Sequence, residues 1–427
     1  MALRSPDDLA PDGHQAIGVD AARERILAAF APLGRIDVLL ADALGLALAA
    51  DVIADSSVPA FANSAMDGFA VRSEDVQSTP ARLGVIGEAK AGGALISVIG
   101  PGEAVRIMTG AAVPDGADAV VRFEDTDERD SAGADPSHGR TGREIEIRVA
   151  PCPGTNVRPP GEDFLAGERV LEAGARLRPA DLGVLASLGR THAEVRRRPR
   201  VAVIATGDEV VDPGEPLGPG QIRNSNTTII AASVRRAGGE PVVLGIAQDR
   251  QDALRSRLAE AAGCDLILTT GGVSVGDYDM VKRVLQSDGE IALWQVKIKP
   301  GKPLAFGRLG GVPLLGLPGN PVAAAVAFEQ FARPAIGRML GLRDLSIPTV
   351  MAQLDGSVDN RGGRRHFVRA RVRWDGGRFV ATPAGGQGAG VLSTLARANA
   401  LLVISEGTLA AEHGSVWPAQ MLDWDGA

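Results

Sequence analysis

The segment from Asp265 to Lys282 constrains the fold of this chain more than any other part of the sequence. It begins with the apolar run Leu266–Leu268, which predicts a buried strand, turns through Gly271 and Gly272, and continues into a helical pattern. Unpaired N–H groups at a helix start favour an anion, and glycines let a phosphate approach the backbone closely. The segment therefore predicts an anion site at the carboxyl end of a strand.

Two carboxylates follow the glycine turn, Asp277 and Asp279. They would repel a phosphate unless a divalent cation lay between the groups, so the pattern favours a phosphate ester bridged by a metal ion. A purely structural interpretation is also open at this point. In that interpretation the segment is a tight connection between strand and helix, and one of the two carboxylates caps the helix.

Strand and helix patterns alternate on both sides of this segment, between residues 198 and 342. Such alternation predicts a doubly wound α/β domain with a parallel sheet, which binds ligands at the carboxyl ends of its strands. Polar motifs that follow predicted strands should therefore share one edge of the sheet. They are TGDE at 206–209, TTGGVSVGDYD at 269–279 and LPGN at 317–320.

The rest of the chain changes in character twice. Helical patterns at 17–55 and 162–197 predict a discontinuous helical N-terminal domain, interrupted by short β-like pieces and turns that predict an inserted small β module at 56–161. Alternating side chains return at 343–427 and predict a C-terminal β domain resembling a barrel. The fold class predicted is thus a multidomain α/β plus β protein.

The composition argues against several classes of protein. The 427 residues are 45% hydrophobic and 23% charged, which is typical of a globular chain, and no apolar run approaches the ~20 residues of a membrane span. A net charge of −7 and 4% aromatic residues argue against nucleic-acid binding. The N-terminus has no apolar export signal, and Cys152 and Cys264 are far apart. We expect a cytoplasmic protein without membrane or nucleic-acid partners.

Three lysines lie around a Pro-Gly turn, Lys297, Lys299 and Lys302. Lysines on a turn are usually only solvated, but this turn joins two predicted strands at the edge that carries the polar motifs. Lys299 and Lys302 could supply compact positive charge to an oxyanion. Glu209 follows a strand and is a candidate metal ligand, while Asp208 beside it could merely shape the turn.

Other polar residues have structural alternatives. Asp249 opens a helical pattern and could be its N-cap, with Asp252 three positions on. Asp67 precedes a glycine in a common turn pair, so its carboxylate could be merely structural. Arg158 and Asp163 lie in a Pro/Gly-rich loop and could simply pair with each other.

Taken together, these motifs resemble the molybdopterin molybdenumtransferase family, which includes bacterial MoeA and the E domain of gephyrin. The resemblance runs from about residue 17 to the C-terminus, with the motifs in the family's order. They are PAFANSAMDGFAVR, TGAAVPDGADAVV, GTNVRPPGED, ATGDEVV, GQIRNSN, TTGGVSVGDYD, KPGKP and LPGNPVA.

The resemblance implies an elongated homodimer of four-domain subunits, with an active site between the α/β domain of one subunit and the inserted module of the other. It also implies the reaction, in which adenylylated molybdopterin and molybdate give molybdenum cofactor and AMP with Mg²⁺. Other enzymes of cofactor biosynthesis are implied as possible partners.

The resemblance further assigns roles to residues of this chain. Asp67, Glu209, Asp249 and Asp279 match acidic positions of the site, and Glu209 and Asp279 would hold the metal. The pterin phosphate or its metal would lie at the glycine turn, and the oxyanion at the lysines and Arg369. The substrate-binding set that it implies is Thr109, Arg158, Asp163, Gly271, Gly272, Ser274, Gly276, Lys297, Lys299, Lys302, Pro303 and Arg369.

Two positions depart from the family's pattern. Gln295 stands where many relatives carry lysine, and Ala389 stands where relatives often place serine. Both changes weaken polar contacts to substrate and leave open a preference for tungstate over molybdate. Two rival functions are also open: another enzyme of the same α/β type, such as an adenylyltransferase, or a non-enzymatic scaffold. The retained carboxylates favour an enzyme.

Overall fold

The computed structural model describes residues 16–93, 98–128, 141–272 and 280–423. Within these ranges the chain divides into two compact units. The first contains residues 16–50, 173–178 and 192–423, and the second contains residues 51–172 and 179–191. The four domain boundaries inferred from the sequence stay a prediction.

The first unit begins with a short helix and a strand, α1 (Val19–Leu27) and β1 (Arg35–Leu39). The helix buries Val19, Ala22 and Ile26 in the core of the α/β domain. The helical pattern predicted for this region is therefore realised over nine residues only. Pro32 and Gly34 follow closely, and both residues disfavour continuation of a helix.

The second unit contains the predicted small β module. The strands of this unit are β2 (Val52–Ile53), β3 (Asn63–Ser64), β4 (Gly68–Val71), β5 (Ala81–Ala89), β6 (Glu103–Ile107), β7 (Ala119–Arg122), β8 (Glu144–Ile147), β9 (Val157–Arg158) and β10 (Arg169–Leu171). Five of these strands form a sheet in the order β7-β4-β6-β5-β8, which is buried on both faces. Short antiparallel pairs join β2 to β10 and β3 to β9.

A second short helix belongs to the same unit, α2 (Pro179–Ser187), and the chain then returns to the first unit with β11 (His192–Arg196). Strand β11 pairs with β1 in antiparallel register, from Arg35 opposite Arg196 to Leu39 opposite His192. The two segments predicted to be helical thus also contribute strands, because residues far apart in sequence pair there.

The α/β domain follows the predicted alternation. Its six-stranded sheet has the order β15-β12-β16-β20-β19-β17, and helices cover both faces. The elements are β12 (Arg200–Thr206), β13 (Val210–Val211), β14 (Ile222–Arg223), α3 (Ser225–Ala237), β15 (Glu240–Ala247), α4 (Gln251–Glu260), β16 (Leu266–Thr270), α5 (Met280–Asp288), β17 (Gly289–Gln295), β18 (Ile298–Lys299), β19 (Pro303–Leu309), β20 (Val312–Leu317), α6 (Pro321–Ala327) and α7 (Arg333–Met339). The doubly wound arrangement is confirmed.

One strand departs from the parallel arrangement expected. Strands β15, β12, β16 and β20 are parallel, but β19 runs antiparallel to β20 and to β17. The cause is a two-residue hairpin at Gly310 and Gly311, whose φ angles are +55° and +83°. Two consecutive positive φ values are the geometry of a tight hairpin turn.

Helices α6 and α7 are joined by a π-helical turn at Phe328–Ala332. Asn320 and Pro321 open α6 as N-cap and first residue. Pro334 follows this wider turn at the start of α7, and proline has no N–H with which to continue the helical hydrogen bonds. Along its length α6 and the turn are almost completely buried, so the helix forms the centre of the domain's core.

The C-terminal region is a closed barrel. Its strands follow the cyclic order β23-β24-β21-β27-β25, and β25 pairs back onto β23. The elements are β21 (Thr349–Leu354), β22 (Val358–Asp359), β23 (Arg365–Asp375), β24 (Arg378–Pro383), α8 (Ser393–Arg397), β25 (Ala400–Ile404), β26 (Ala410–Ala411) and β27 (Val416–Met421). Strand β18 of the α/β domain extends this sheet by pairing with the start of β23. Within the described ranges, no helix is long and apolar enough to cross a membrane.

Candidate active site

A cleft of about 710 Å³ lies at the carboxyl ends of β12, β16 and β20. This is the edge at which a doubly wound sheet binds ligands. The polar motifs predicted to share this edge do meet here. The cleft is lined by, among others, Thr206, Gly207, Glu209, Asn226, Asp249, Gly271, Gly272, Pro303, Asn320 and Gly390.

The glycine turn forms one wall of the cleft. Gly271 and Gly272 have φ angles of +91° and +65°, in the region that favours glycine. A Cβ atom on Gly271 would lie 2.7 Å from the carbonyl oxygen of Thr206, and one on Gly272 would lie 3.0 Å from its Oγ1. The turn therefore needs glycine both for its backbone angles and for its packing. Ser274, Gly276 and Asp279 lie outside the described residues.

Carboxylates also line the cleft. The Asp249 N–H donates to Asp208 Oδ1 at 3.1 Å, and the Glu209 carboxylate lies over Gly207. Burial raises the pKa of Asp249, and the negative charges of Asp208 and Glu209 raise it further. A backbone hydrogen bond lowers this pKa but does not cancel the rise. Asp249 does not cap α4, whose N-cap is Arg250. The alternative in which Asp249 caps this helix is thus wrong, and the Asp249 carboxylate is available for another role.

A divalent cation fits this negative cluster but would not be enclosed by it. No group of three His, Cys, Asp or Glu side chains within the described ranges could hold a metal ion. Glu209 and Asp249 could supply two oxygen ligands from neighbouring strand ends. Mg²⁺ is commonly bound by one or two carboxylates together with water and substrate phosphates, so a pair suffices.

The starts of α3 and α6 supply polar groups that the sequence reasoning did not single out as binding residues. Asn226 Nδ2 donates to the Gly319 carbonyl at 2.7 Å, which joins the two helix starts. Asn226 Oδ1 is buried and has no partner, and the same holds for Thr270 Oγ1 at the end of β16. Both residues line the cleft, so a ligand there could satisfy them. Thr270 lies at the end of a predicted strand and Asn226 at a helix start. These positions are the sequence signal that could have marked both residues as ligand-binding candidates.

The three lysines do not converge on the cleft. Pro303 lines the cleft, whereas Lys299 lies on β18 and its Nζ donates to the Asp359 carbonyl of the barrel at 3.4 Å. Burial lowers the pKa of Lys299, and the nearby Arg364 lowers it further. Lys297 and Lys302 are half-buried on either side of that strand. The turn therefore bridges the cleft and the barrel.

Arg369 lies beneath a loop of the barrel and is completely buried. Its Nη2 donates to the carbonyls of Gly386 and Gly388 at 3.3 and 3.0 Å, and its Nη1 has no partner. Burial lowers the pKa of Arg369 to about 10. Its loop reaches the cleft, since the Ala389 carbonyl accepts a hydrogen bond from the Val322 N–H at the start of α6. The guanidinium thus positions the loop from below.

The second unit brings Asp67 and Thr109 together. Asp67 Oδ1 accepts hydrogen bonds from the Thr109 N–H and hydroxyl at 2.7 and 2.8 Å, and these bonds lower the pKa of the Asp67 carboxyl. Arg158 lies 3.8 Å from a carboxylate oxygen of Glu162, so the suggested pairing of Arg158 with Asp163 is not what the structure shows. Asp67 is exposed and remains ionised, as a ligand-binding carboxylate should be.

The fold and the cleft define an α/β protein with an inserted β module, a C-terminal barrel and a polar ligand cleft at the strand ends of its sheet. Three family models match this arrangement in order: "MoeA N-terminal region (domain I and II)" over residues 17–189, "Probable molybdopterin binding domain" over 202–338, and "MoeA C-terminal region (domain IV)" over 351–420. Together they cover most of the chain.

Individual proteins agree with these models. The chain is 40% identical over 403 residues to molybdopterin molybdenumtransferase 2 of Mycobacterium tuberculosis, covering 91% of this chain and 95% of that protein. It is 36% identical over 371 residues to the molybdopterin molybdenumtransferase of Haemophilus influenzae, covering 86% and 88%. The molybdopterin biosynthesis MoeA protein of Pyrococcus horikoshii superposes with a TM-score of 0.81 at 30% identity, covering 96% and 100%. The chain belongs to the molybdopterin molybdenumtransferase family.

Proposed function

We propose that this transferase inserts molybdate into adenylylated molybdopterin, which releases AMP and forms molybdenum cofactor. The observation that carries the proposal is the strand-end cleft, which is lined both by the glycine turn at Gly271 and Gly272 and by Glu209 and Asp249. A phosphate suits the turn, and the carboxylates suit a cation that binds the same phosphate. The names of the relatives support this assignment of substrate.

Glu209 and Asp249 would hold Mg²⁺, together with Asp279 as the family resemblance implies. The bound cation would neutralise charge that develops on the phosphate as AMP leaves. The residues of the chain contribute the rest. Asn226 and the glycine turn orient the phosphates, and Asp249 is kept close to other carboxylates, whose mutual repulsion a bound cation would relieve.

Lys297, Lys299, Lys302 and Arg369 would provide the positive charge for the oxyanion. Lys299 presents its ammonium group beside the barrel, and Arg369 positions the loop that carries Ala389. Gln295 is buried and its Oε1 has no partner, so this amide adds a polar group but no charge where relatives often carry lysine. The preference between molybdate and tungstate is therefore a property to be measured.

The proposal includes a homodimer in the cytoplasm. The family resemblance implies that Asp67 and Thr109 of one subunit, with Arg158 and Asp163, complete the active site of the other subunit. The hydrogen-bonded Asp67–Thr109 pair supports a binding role, since its carboxylate is both exposed and kept ionised. Other enzymes of cofactor biosynthesis would deliver the substrate or receive the product.

The test is AMP release by the purified protein with adenylylated molybdopterin, Mg²⁺ and either molybdate or tungstate. We expect release to require the oxyanion and Mg²⁺. Asp249→Asn should abolish most of the release, whereas Asp252→Asn is a matched control, because Asp252 is exposed on α4 and pairs with Arg250. Release that is independent of either oxyanion, or equal loss in both variants, would contradict the proposal.

A further inference from the structure

A second cavity, of about 140 Å³, lies in the first unit and is distinct from the strand-end cleft. It is bounded by the second half of α3, the π-helical turn, α7 and the loop that follows α7, together with one residue of the segment 173–178. Among the described residues, none lines both this cavity and the cleft. A single water needs only about 10–15 Å³, so the cavity has room for a small ligand.

Charged side chains of both signs line this cavity in unequal number. Three are arginines, Arg176, Arg236 and Arg333, and two are carboxylates, Glu329 and Asp344. One positive charge therefore remains in excess. An anionic ligand would balance that charge and accept hydrogen bonds from the guanidinium groups.

Two of the arginines are held at the cavity by a buried carboxylate. Glu329 is 6% exposed, Arg236 Nη2 donates to its Oε1, and its Oε2 lies 3.4 Å from Arg333 Nε. The buried Nε–H group of Arg333 nevertheless has no hydrogen-bond partner. A buried donor without a partner is costly, so an acceptor oxygen on a ligand would stabilise this arrangement.

Arg176 is the arginine of this cavity that has no carboxylate partner in the part of the chain that the structure describes. Its Nη1 and Nη2 donate to the carbonyls of Gly45 and Ala237 at 3.2 and 3.4 Å. Burial lowers the pKa of Arg176, and the positive charge of Arg198 lowers it further. A guanidinium has five N–H donors, so donors remain for a ligand that also supplies negative charge.

We propose that this cavity binds a phosphate group, held by Arg176, Arg236 and Arg333 with the Ser233 hydroxyl as a further donor. Guanidinium groups from three separate segments suit the several oxygens of a phosphate better than the two oxygens of a carboxylate, and each can bind it through two donors. The phosphate is free or belongs to a small ester, and it joins α3 to α7. The site does not rest on the proposed reaction.

The experiment measures binding of inorganic phosphate to the purified full chain by isothermal titration calorimetry in a phosphate-free buffer. Arg176→Gln removes a positive charge without leaving a carboxylate unpaired, and it should weaken binding at least about tenfold. Arg235→Gln is the matched control, because Arg235 is exposed on α3 and does not line the cavity. Phosphate bound at the glycine turn of the cleft would contribute equally to both variants, so their difference reports on the cavity.

A second variant tests the cavity without changing its charge. Ser233→Leu fills space from α3 and should also weaken phosphate binding about tenfold. Normal binding by this variant in its folded state would overturn the inference. The same holds if the wild type binds no phosphate at millimolar concentration, or if Arg176→Gln and Arg235→Gln bind it equally.

Other ligands define the chemistry of the site. Acetate should bind at least about tenfold more weakly than phosphate, because it has fewer oxygens for the three guanidinium groups. Equal binding of acetate would overturn the assignment to phosphate. Glycerol phosphate distinguishes the two sources of the group: binding as tight as that of inorganic phosphate assigns the site to an ester, and weaker binding assigns it to the free ion.

Discussion

The pKa values of several side chains differ between the folded and the unfolded chain, and His366 shows a large shift. Its pKa falls from 6.5 to about 3 on folding. The unfolded chain therefore takes up a proton below about pH 6.5 that the folded chain does not. The stability associated with the neutral imidazole is complete above that pH and is lost as the pH falls towards 3.

This linkage predicts acid sensitivity. Between neutral pH and pH 5 the wild type should lose about 2 kcal/mol of unfolding free energy that His366→Gln does not lose. Urea unfolding at the two pH values measures the difference. His413→Gln should behave as the wild type, since His413 is exposed. Equal acid sensitivity in wild type and His366→Gln would show that another group is responsible.

A second prediction at this scale concerns Asp249. Its raised pKa means that the folded protein disfavours the ionised carboxylate in the absence of a cation. Asp249→Asn should therefore be at least as stable as the wild type in a chelating buffer. Added Mg²⁺ should raise the melting temperature of the wild type but not that of Asp249→Asn. Thermal unfolding with and without Mg²⁺ checks this, with Asp252→Asn as the control that keeps the Mg²⁺ response.

Single elements depend on glycines whose roles differ. At the turn after β16, Gly271→Ala would place a methyl group 2.7 Å from the Thr206 carbonyl and at a positive φ. Gly310→Ala, in the β19–β20 hairpin, has a positive φ but open space around it. We expect losses of about 3 kcal/mol and about 1 kcal/mol respectively, measured by urea unfolding. Equal losses would mean that the close packing on Thr206 does not matter.

At the scale of the whole molecule, the proposed homodimer predicts complementation. Asp67→Ala and Glu209→Ala chains should each be inactive alone. When they are mixed and allowed to exchange subunits, the mixed dimer would contain one intact site, so roughly a quarter of wild-type AMP release should return. Exchange confirmed by mass spectrometry without recovered activity would place both residues in a site within one subunit.

Much of the fold was predictable because its signals are local. Apolar runs separated by helical patterns predict a doubly wound sheet, and glycines after β16 predict a backbone that only glycine adopts readily. The strand-end rule predicts that Glu209 and the glycine turn share one edge of the sheet, and both line the cleft, whereas Asp249 was assigned to the site only by the family resemblance. These features follow from chain stereochemistry and periodicity, which act over a few residues.

Other features were decided only by tertiary structure. The burial of Arg369 beneath its loop and the register that sets Lys299 opposite His366 depend on strands brought together from distant parts of the chain. The same holds for the pairing of β1 with β11, about 150 residues apart, in a region whose sequence pattern is helical. Local sequence determines which conformations and side-chain chemistry are available, whereas burial and pairing between distant segments determine which groups lose water and which partners they meet.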